Sequence, residues 1–182
     1  MDVSQELSAK EVINDYGYEE LLKIFYEYAE ESNSKKIAET IINNRPIQTT
    51  NELVSVIESS LPRQNPKFTK STVRKIFQAI RIEVNNEISE IIESLETAKN
   101  FIKSNGIMIF LSYHSIEDRT VKQFIEKETK GCTCDPKLAI CICENVPLFK
   151  LGKYKKRKPS NNEIKKNPRS KSAVLRLSLI HI

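Results

Sequence analysis

The chain has 182 residues, of which 39% are apolar and 29% are charged, and its formal net charge is +5. This length allows one ordinary domain, or one domain and part of another, and the composition is typical of globular proteins. No apolar run approaches the roughly 20 residues that cross a bilayer, and the polar start is unlike a secretory signal, so we expect a cytoplasmic protein that contacts no membrane.

The first 70 residues show only helical patterns. At two places a glutamate follows a hydroxyl residue by three positions, which is the capping-box spacing found at the start of a helix. These pairs are Ser8 with Glu11, and Thr49 with Glu52. Two further segments carry apolar residues at helical spacing: Tyr18 to Glu31, and Ser34 to Asn44. Pro62 ends the last helix, and a polar connector with Pro66 follows it. We therefore predict a small all-helical domain over residues 1–70.

A long helical pattern then runs from Thr72 to Ile102, with a bend expected near Asn85 and Asn86. It leads to Gly106, a residue type that commonly ends helices. Ile107 to Leu111 is an unbroken apolar run, which is the pattern of a strand buried on both faces. A helix, a buried strand and another helix in succession predict an α/β sheet, which we place over residues 71–176.

Polar residues directly follow this strand and form the candidate catalytic group. In open α/β sheets, ligands bind outside the carboxyl ends of the strands. The residues in that position are His114, Ser115, Glu117, Asp118 and Arg119. His114 is either a general base or a histidine that only satisfies local hydrogen bonds. Asp118 has a structural alternative too, which is an ion network with Arg119 or Arg81 that closes the sheet edge.

Four cysteines form two C-x-C pairs separated by six residues: Cys132, Cys134, Cys141 and Cys143. Four thiolates could surround a zinc ion, although structural zinc sites more often use the C-x2-C spacing. A disulfide is disfavoured in the cytosol. We favour four reduced thiols in a loop, and zinc stays as the alternative.

Positive charge is concentrated between Val146 and Arg176, where basic residues outnumber the single acid, Glu163, by eleven to one. A local field of this sign attracts phosphate backbones, although a basic segment can also serve only to keep a chain soluble. The distribution therefore favours a nucleic-acid partner.

Three segments of the chain carry a family pattern: Phe77-Gln-Ala-Ile-Arg-Ile-Glu-Val-Asn-Asn-Glu87, Ser112-Tyr-His-Ser-Ile-Glu-Asp-Arg119 and Asn167-Pro-Arg-Ser-Lys-Ser-Ala-Val-Leu-Arg176. They resemble the ribosomal RNA small subunit methyltransferase H family, also called MraW, and shorter matches extend the resemblance over nearly the whole chain. The resemblance implies S-adenosylmethionine-dependent methylation of the N4 atom of one cytidine in 16S rRNA of the small ribosomal subunit. It also implies a Rossmann-like methyltransferase domain that contains a helical insert.

In that family the glycine-rich cofactor loop would precede Met1. The resemblance therefore implies a carboxyl-terminal fragment, with the helical insert over residues 1–70 and the closing half of the methyltransferase sheet over residues 71–176. It implies no cofactor-binding residue in this chain and no activity of the chain alone. The last residues, 177–182, look like a translated sequencing adaptor, so we expect a non-native tail that includes His181.

The implied chemistry depends on positioning, because the lone pair of cytosine N4 is delocalised into the ring. The target base must also leave its stack. Glu117 or Asp118 would accept a hydrogen bond from N4–H or hold an arginine, and Arg119 and Arg81 would contact phosphate or base. Six further residues are the predicted RNA contacts: Lys155, Lys156, Arg157, Asn167, Arg169 and Arg176. The competing functions are a non-catalytic RNA-binding module and a helical interaction protein with a zinc-bound loop.

Overall fold

The computed structural model describes residues 7–62, 66–103, 105–130, 147–151 and 156–180, together with Cys134, Ile140 and Cys143. The chain divides into two compact units, Met1–Glu87 and Ile88–Ile182. The boundary that we predicted after residue 70 lies inside a helix of the first unit. No helix among the described residues is long and apolar enough to span a membrane.

The regular elements in the described residues of the first unit are all helices. Its helices are α1 (Ala9–Asp15), α2 (Tyr18–Glu27), α3 (Ser34–Asn43), α4 (Thr50–Ser60) and α5 (Pro66–Val84). Both predicted capping boxes are confirmed, since Ser8 and Thr49 accept from the backbone N–H of Glu11 and Glu52, and each glutamate accepts from its cap residue in return. One apolar core joins the helices, and its fully buried members include Leu21, Phe25, Ile37, Ile57 and Ile76.

Helix α2 ends at Glu27, four residues earlier than the sequence pattern indicated. Glu30 has a φ of 48°, a left-handed conformation that cannot continue a right-handed helix. The chain then turns, and the carboxylate of Glu31 is buried, with 3% exposure. It accepts hydrogen bonds from the backbone N–H of Asn33 and from Thr72 Oγ1, at 3.3 and 3.1 Å. This buried carboxylate therefore links the α2–α3 turn to α5.

The predicted long helix is two helices, α5 and α6 (Glu87–Ala98), and the bend expected at Asn85 and Asn86 is a break. Asn86 has a φ of 51°, which ends α5. Our prediction that Gly106 ends the helix is wrong, because α6 ends at Ala98. Gly106 instead lies in close contact with its own chain, where an added Cβ would come within 2.5 Å of Ile102 Cγ2.

The described part of the second unit contains a three-stranded sheet with the order β1-β3-β2 and antiparallel pairing throughout. Its elements after α6 are β1 (Ile107–Ser112), α7 (Ser115–Lys130), β2 (Phe149–Leu151), α8 (Asn161–Lys166), a 3-10 helix (Pro168–Ser172) and β3 (Val174–Ile180). The chain is therefore helix-rich α/β, as predicted, with a small antiparallel sheet. Residues 177–180, expected as a tail, lie in the central strand β3.

Our prediction that the apolar strand is buried on both faces is wrong for the described chain. Met108 and Ser112 are buried, whereas Ile107, Ile109 and Leu111 are 59%, 62% and 54% exposed. Alternate residues of a strand point to opposite faces of a sheet. The buried face belongs to an apolar cluster with residues of α6 and α7, including Leu95, Val121 and Phe124, whereas the other face is open in the part of the unit that the structure describes.

Candidate functional site

The turn from β1 into α7 holds the predicted catalytic group, and a histidine caps the helix there. His114 Nδ1 accepts a hydrogen bond from the backbone N–H of Glu117 at 3.3 Å. The carboxylate of Glu117 accepts in return from the backbone N–H of His114, at 3.3 Å, and of Tyr113, at 2.8 Å. This reciprocal pair has the geometry of a capping box, with a histidine in the place of the usual serine or threonine.

The cap fixes the tautomer of His114. Because Nδ1 accepts a hydrogen bond, the neutral ring carries its proton on Nε2. Nε2 lies 3.1 Å from Glu117 Oε1, so both ring nitrogens face the same residue. The geometry supports the structural alternative for His114, since a role as general base would require Nδ1 to release the helix cap. Its catalytic role stays a prediction.

Asp118 is the centre of an ion cluster between α7 and β3. Arg176 donates two hydrogen bonds to it, from Nε to Oδ1 at 2.6 Å and from Nη2 to Oδ2 at 3.0 Å. Lys156 Nζ donates to Oδ2 at 3.2 Å. Burial alone would raise the pKa of Asp118, but the hydrogen bonds from Arg176 and Lys156 outweigh burial and hold the pKa below its usual value. The cluster joins a predicted catalytic residue to two predicted RNA contacts.

The partners of Asp118 differ from those that the sequence offered as a structural alternative. We named Arg119 and Arg81, whereas the described bonds come from Arg176 and Lys156. Arg81 belongs to the first unit, where it donates to both carboxylate oxygens of Glu87 at 2.8 and 2.9 Å. No local pattern signals the bond between Asp118 and Arg176, because 58 positions separate the two residues.

Ser115 and Arg119 are the exposed members of the predicted catalytic group. They are four residues apart on α7 and therefore share one side of the helix. Tyr113, which the sequence analysis did not select, is also 54% exposed at the end of β1. These side chains are accessible to a substrate that approaches the carboxyl end of the strand.

An open groove of about 460 Å³ lies beside this turn, between α6 and β1. Its lining is mainly apolar and includes Ile91, Leu95 and Phe110, and its polar residues include Ser112 and Glu117. This volume falls within the roughly 300–1,000 Å³ of small-molecule sites. Glu117, whose carboxylate holds the α7 cap, therefore lines this groove.

The described members of the predicted RNA contacts are distributed over the basic segment: Lys156 and Arg157 precede α8, Asn167 and Arg169 lie at the 3-10 helix, and Arg176 lies in β3. Asn167 caps the 3-10 helix by accepting from the backbone N–H of Arg169 at 3.2 Å, so its side chain shapes the segment. Arg157 exchanges two backbone hydrogen bonds with Leu175 and extends the sheet beside β2. The exposed basic residues of the described segment are Lys150, Lys156, Arg157, Lys158, Lys165, Lys166, Arg169 and Lys171. Lys155 lies outside the described residues.

The zinc alternative is not tested. Cys132 and Cys141 lie outside the described residues, and only Cys134 and Cys143 of the four cysteines are described. Within the described ranges, His, Cys, Asp and Glu side chains form no group of three that could hold a metal ion. The metal state of the cysteine loop therefore stays a prediction.

Comparison with known proteins decides the family. A protein-family model described as the MraW methylase family matches residues 1–180. The chain belongs to the MraW methylase family. Its curated relatives carry the name "Ribosomal RNA small subunit methyltransferase H". The chain is 40% identical over 174 residues to the relative from Dehalococcoides mccartyi, a match that covers 96% of the chain and 49% of the relative.

Two further relatives give the same result. The match to Caldicellulosiruptor saccharolyticus is 41% identical over 181 residues, and the match to Clostridioides difficile is 39% identical over 181 residues. Each covers 98% of the MraW chain and 58% of the relative. The chain therefore spans about half the length of the curated relatives that it matches.

A methylase of this family needs a methyl donor, and the resemblance seen in the sequence implies S-adenosylmethionine. The described glycines of this MraW chain do not form a cradle for it. Gly17 begins α2, and its N–H donates to Glu20 at 2.7 Å. Gly106 contacts Ile102 and Lys103 of its own chain. The prediction that this chain holds no cofactor-binding residue therefore stays a prediction.

Proposed function

We propose that this chain is the carboxyl-terminal part of an S-adenosylmethionine-dependent methyltransferase that methylates N4 of a cytidine in 16S rRNA. The observation that carries the proposal is the MraW family match over residues 1–180. The names of the relatives support rRNA of the small subunit as the substrate. Action on rRNA in a bacterium would take place in the cytoplasm, as we expected.

The open face of β1 supports the proposal of a partial methyltransferase sheet. Ile109 and Leu111 lie directly opposite Leu177 and Leu175 of β3, and directly opposed residues of an antiparallel pair share one face. A continuous apolar face of this kind usually marks an interface. β1 is also an edge strand of the sheet that the described residues form, and its outer backbone groups are able to pair with another strand. We therefore assign this face and edge to the half of the relatives that the chain does not cover.

The two units support different parts of the proposed enzyme. The first unit is helical in all its described elements, which fits a helical insert domain. The second unit carries the strand end, the α7 cap and the basic segment, which fits the closing half of a Rossmann-like sheet. The helical insert domain and the partial Rossmann domain are therefore parts of this proposal.

The bound cofactor would supply an electrophilic methyl group, and the residues of this chain would orient the base that receives it. We propose that Arg119 contacts the RNA directly, because it is exposed at the start of α7. Glu117 and Asp118 would act as positioning residues, since Glu117 holds the turn and Asp118 fixes α7 to β3. Lys158, Lys165, Lys166 and Lys171 would attract the phosphate backbone from the exposed surface of the basic segment.

A chimaera tests the function. We would join this chain to the part of the Caldicellulosiruptor saccharolyticus relative that the match does not cover, and incubate it with tritiated S-adenosylmethionine and small ribosomal subunits. Digestion of the rRNA to nucleosides should place the label in N4-methylcytidine. The controls are each half alone. Label on another atom, or no label from a chimaera that is folded and binds the cofactor, would refute the proposal.

The exposed basic residues of α8 and the 3-10 helix also favour a second candidate function, a non-catalytic RNA-binding module. Such a module would bind RNA through phosphate contacts alone. The same chimaera separates the two candidates, because RNA binding that is retained without any methyl transfer would favour the module.

A further inference from the structure

An open groove of about 500 Å³ lies on the first unit, between α2 and the start of α3. It belongs to the helical unit and is distinct from the turn after β1. Its volume is within the roughly 300–1,000 Å³ of ligand-binding clefts. Tyr26 and Leu22 line it from α2, and Lys35 and Lys36 line it from α3. The groove thus combines an aromatic ring with two cations.

Tyr26 differs from the other aromatic residues of α2 in its exposure to solvent. The core side of this helix carries Leu21, Ile24 and Phe25, all buried. Tyr18 and Tyr28, at the two ends of the helix, pack against the same core. Tyr26 is instead 71% exposed, so its ring remains available to stack on a flat partner. Base stacking on such rings is a general means by which proteins bind single-stranded nucleic acid.

The charges around the groove favour an anion at its α3 end. Lys35 and Lys36 occupy the first turn of α3, which carries no acidic residue. Cations there add to the partial positive charge of a helix amino terminus. The nearby carboxylate of Glu31 is 3% exposed and is bonded to Thr72 and Lys75, so it faces the interior of the unit.

The α2 side of the groove is different. Glu19 and Glu27 line it there together with Lys23, so the acids lie on the helix that carries Tyr26. A phosphate would therefore be held at Lys35 and Lys36, and the uncharged base would lie over Tyr26. This division matches a nucleotide, which has a flat apolar part and an anionic part.

We propose that this groove binds a single-stranded segment of RNA, with one base stacked on Tyr26 and a phosphate beside Lys35 and Lys36. The proposal rests on the proposed function, because rRNA is the RNA that such an enzyme would engage. It adds a second contact, on the helical unit, to the contacts of the basic segment.

The test uses the complete chain and a short fluorescein-labelled single-stranded RNA, with the matching duplex for comparison. Fluorescence anisotropy should show that Tyr26→Leu weakens binding of the single strand by about tenfold, whereas Tyr26→Phe binds within about twofold of the original chain, because only the ring is needed for stacking. Binding of the duplex should change little. Circular dichroism would confirm that both variants are folded.

The lysines are tested by salt dependence. Lys35→Ala combined with Lys36→Ala should reduce the slope of log affinity against log salt by about one to two. Lys70→Ala, which changes an exposed lysine of α5, is the matched control and should change the slope by less. Ultraviolet crosslinking followed by mass spectrometry should attach the RNA to the peptide that contains Tyr26.

Two results would overturn this proposal: equal affinities of the Tyr26→Leu and Tyr26→Phe variants for the single strand, or crosslinks confined to other peptides. The proposed function fails by a different result, the absence of methyl transfer in the chimaera. Methyl transfer by the chimaera, together with no effect of Tyr26 substitutions on RNA binding, would reject only the proposal that the groove binds RNA.

Discussion

Replacement of Asp118 by alanine should destabilise the chain by about 3 kcal/mol. The two side chains of the Asp118–Arg176 pair are only 13% and 12% exposed, so both are largely shielded from water. Loss of one partner of a buried pair costs about 3–5 kcal/mol, because the other charge is left uncompensated. The slight exposure places the expected cost at the lower end of that range.

The hydrogen bonds and the exposure of the partners also predict how strongly Asp118 is coupled to each of them. A double-mutant cycle of Asp118→Ala with Arg176→Ala should give a coupling energy of about 2 kcal/mol, because Arg176 donates two charge-assisted bonds. The cycle with Lys156→Ala should give less than about 1 kcal/mol, because the Lys156 side chain is 42% exposed. Urea unfolding followed by circular dichroism measures both values.

The same pair predicts a pH dependence. The pKa of Asp118 is below its usual value in the folded chain, so its ionised form contributes stability that is present above about pH 4 and is lost as the pH falls through the folded pKa. The stability difference between the original chain and Asp118→Asn should therefore be constant near neutral pH and shrink below about pH 4. Equal coupling of Asp118 to Lys156 and to Arg176, or a difference that grows in acid, would refute this reasoning.

Three further predictions follow from the site. His114→Ala should cost about 1 kcal/mol in urea unfolding, whereas His114→Asn should cost less because asparagine is a good helix cap; equal losses would contradict the capping role. In the chimaera, alanine replacement of Lys155, Lys156 and Arg157 should weaken binding of cognate and unrelated RNA alike, with turnover retained at saturating RNA. Arg119→Ala should instead lower turnover, with RNA affinity within a few fold of the original. The reverse pattern would contradict this division of roles. Metal analysis of protein purified without chelator should find no stoichiometric zinc, and one zinc per chain would show that our preference for free thiols is wrong.

The sequence predicted the elements whose signals are local. The capping boxes at Ser8 and Thr49 need only four adjacent residues, and both are present. The change of direction at Asn85 and Asn86 was also visible, because asparagine tolerates the left-handed conformation that Asn86 adopts. Glu117, three residues after His114, carried half of a capping-box signal, so the histidine cap could have been recognised from the sequence.

Features that depend on distant residues were beyond the sequence. The apolar run at Ile107 to Leu111 shows that each side chain is able to be buried, but burial depends on which elements cover each face of the sheet. The bond between Asp118 and Arg176 joins residues that are 58 positions apart, and no periodic pattern reports such a pair. The exposure of Tyr26 is likewise not evident from the sequence, because the neighbouring Phe25 lies in the core and Tyr28 packs against it.

Calorimetric titration with S-adenosylmethionine tests most directly whether this chain is the half of a methyltransferase that lacks the cofactor site. We predict no saturable binding to the chain alone and binding with a micromolar dissociation constant to the chimaera, which adds the part of the relative that the chain does not cover. Micromolar binding to the chain alone would contradict the account, because the cofactor would then be held by residues to which we assign no such role.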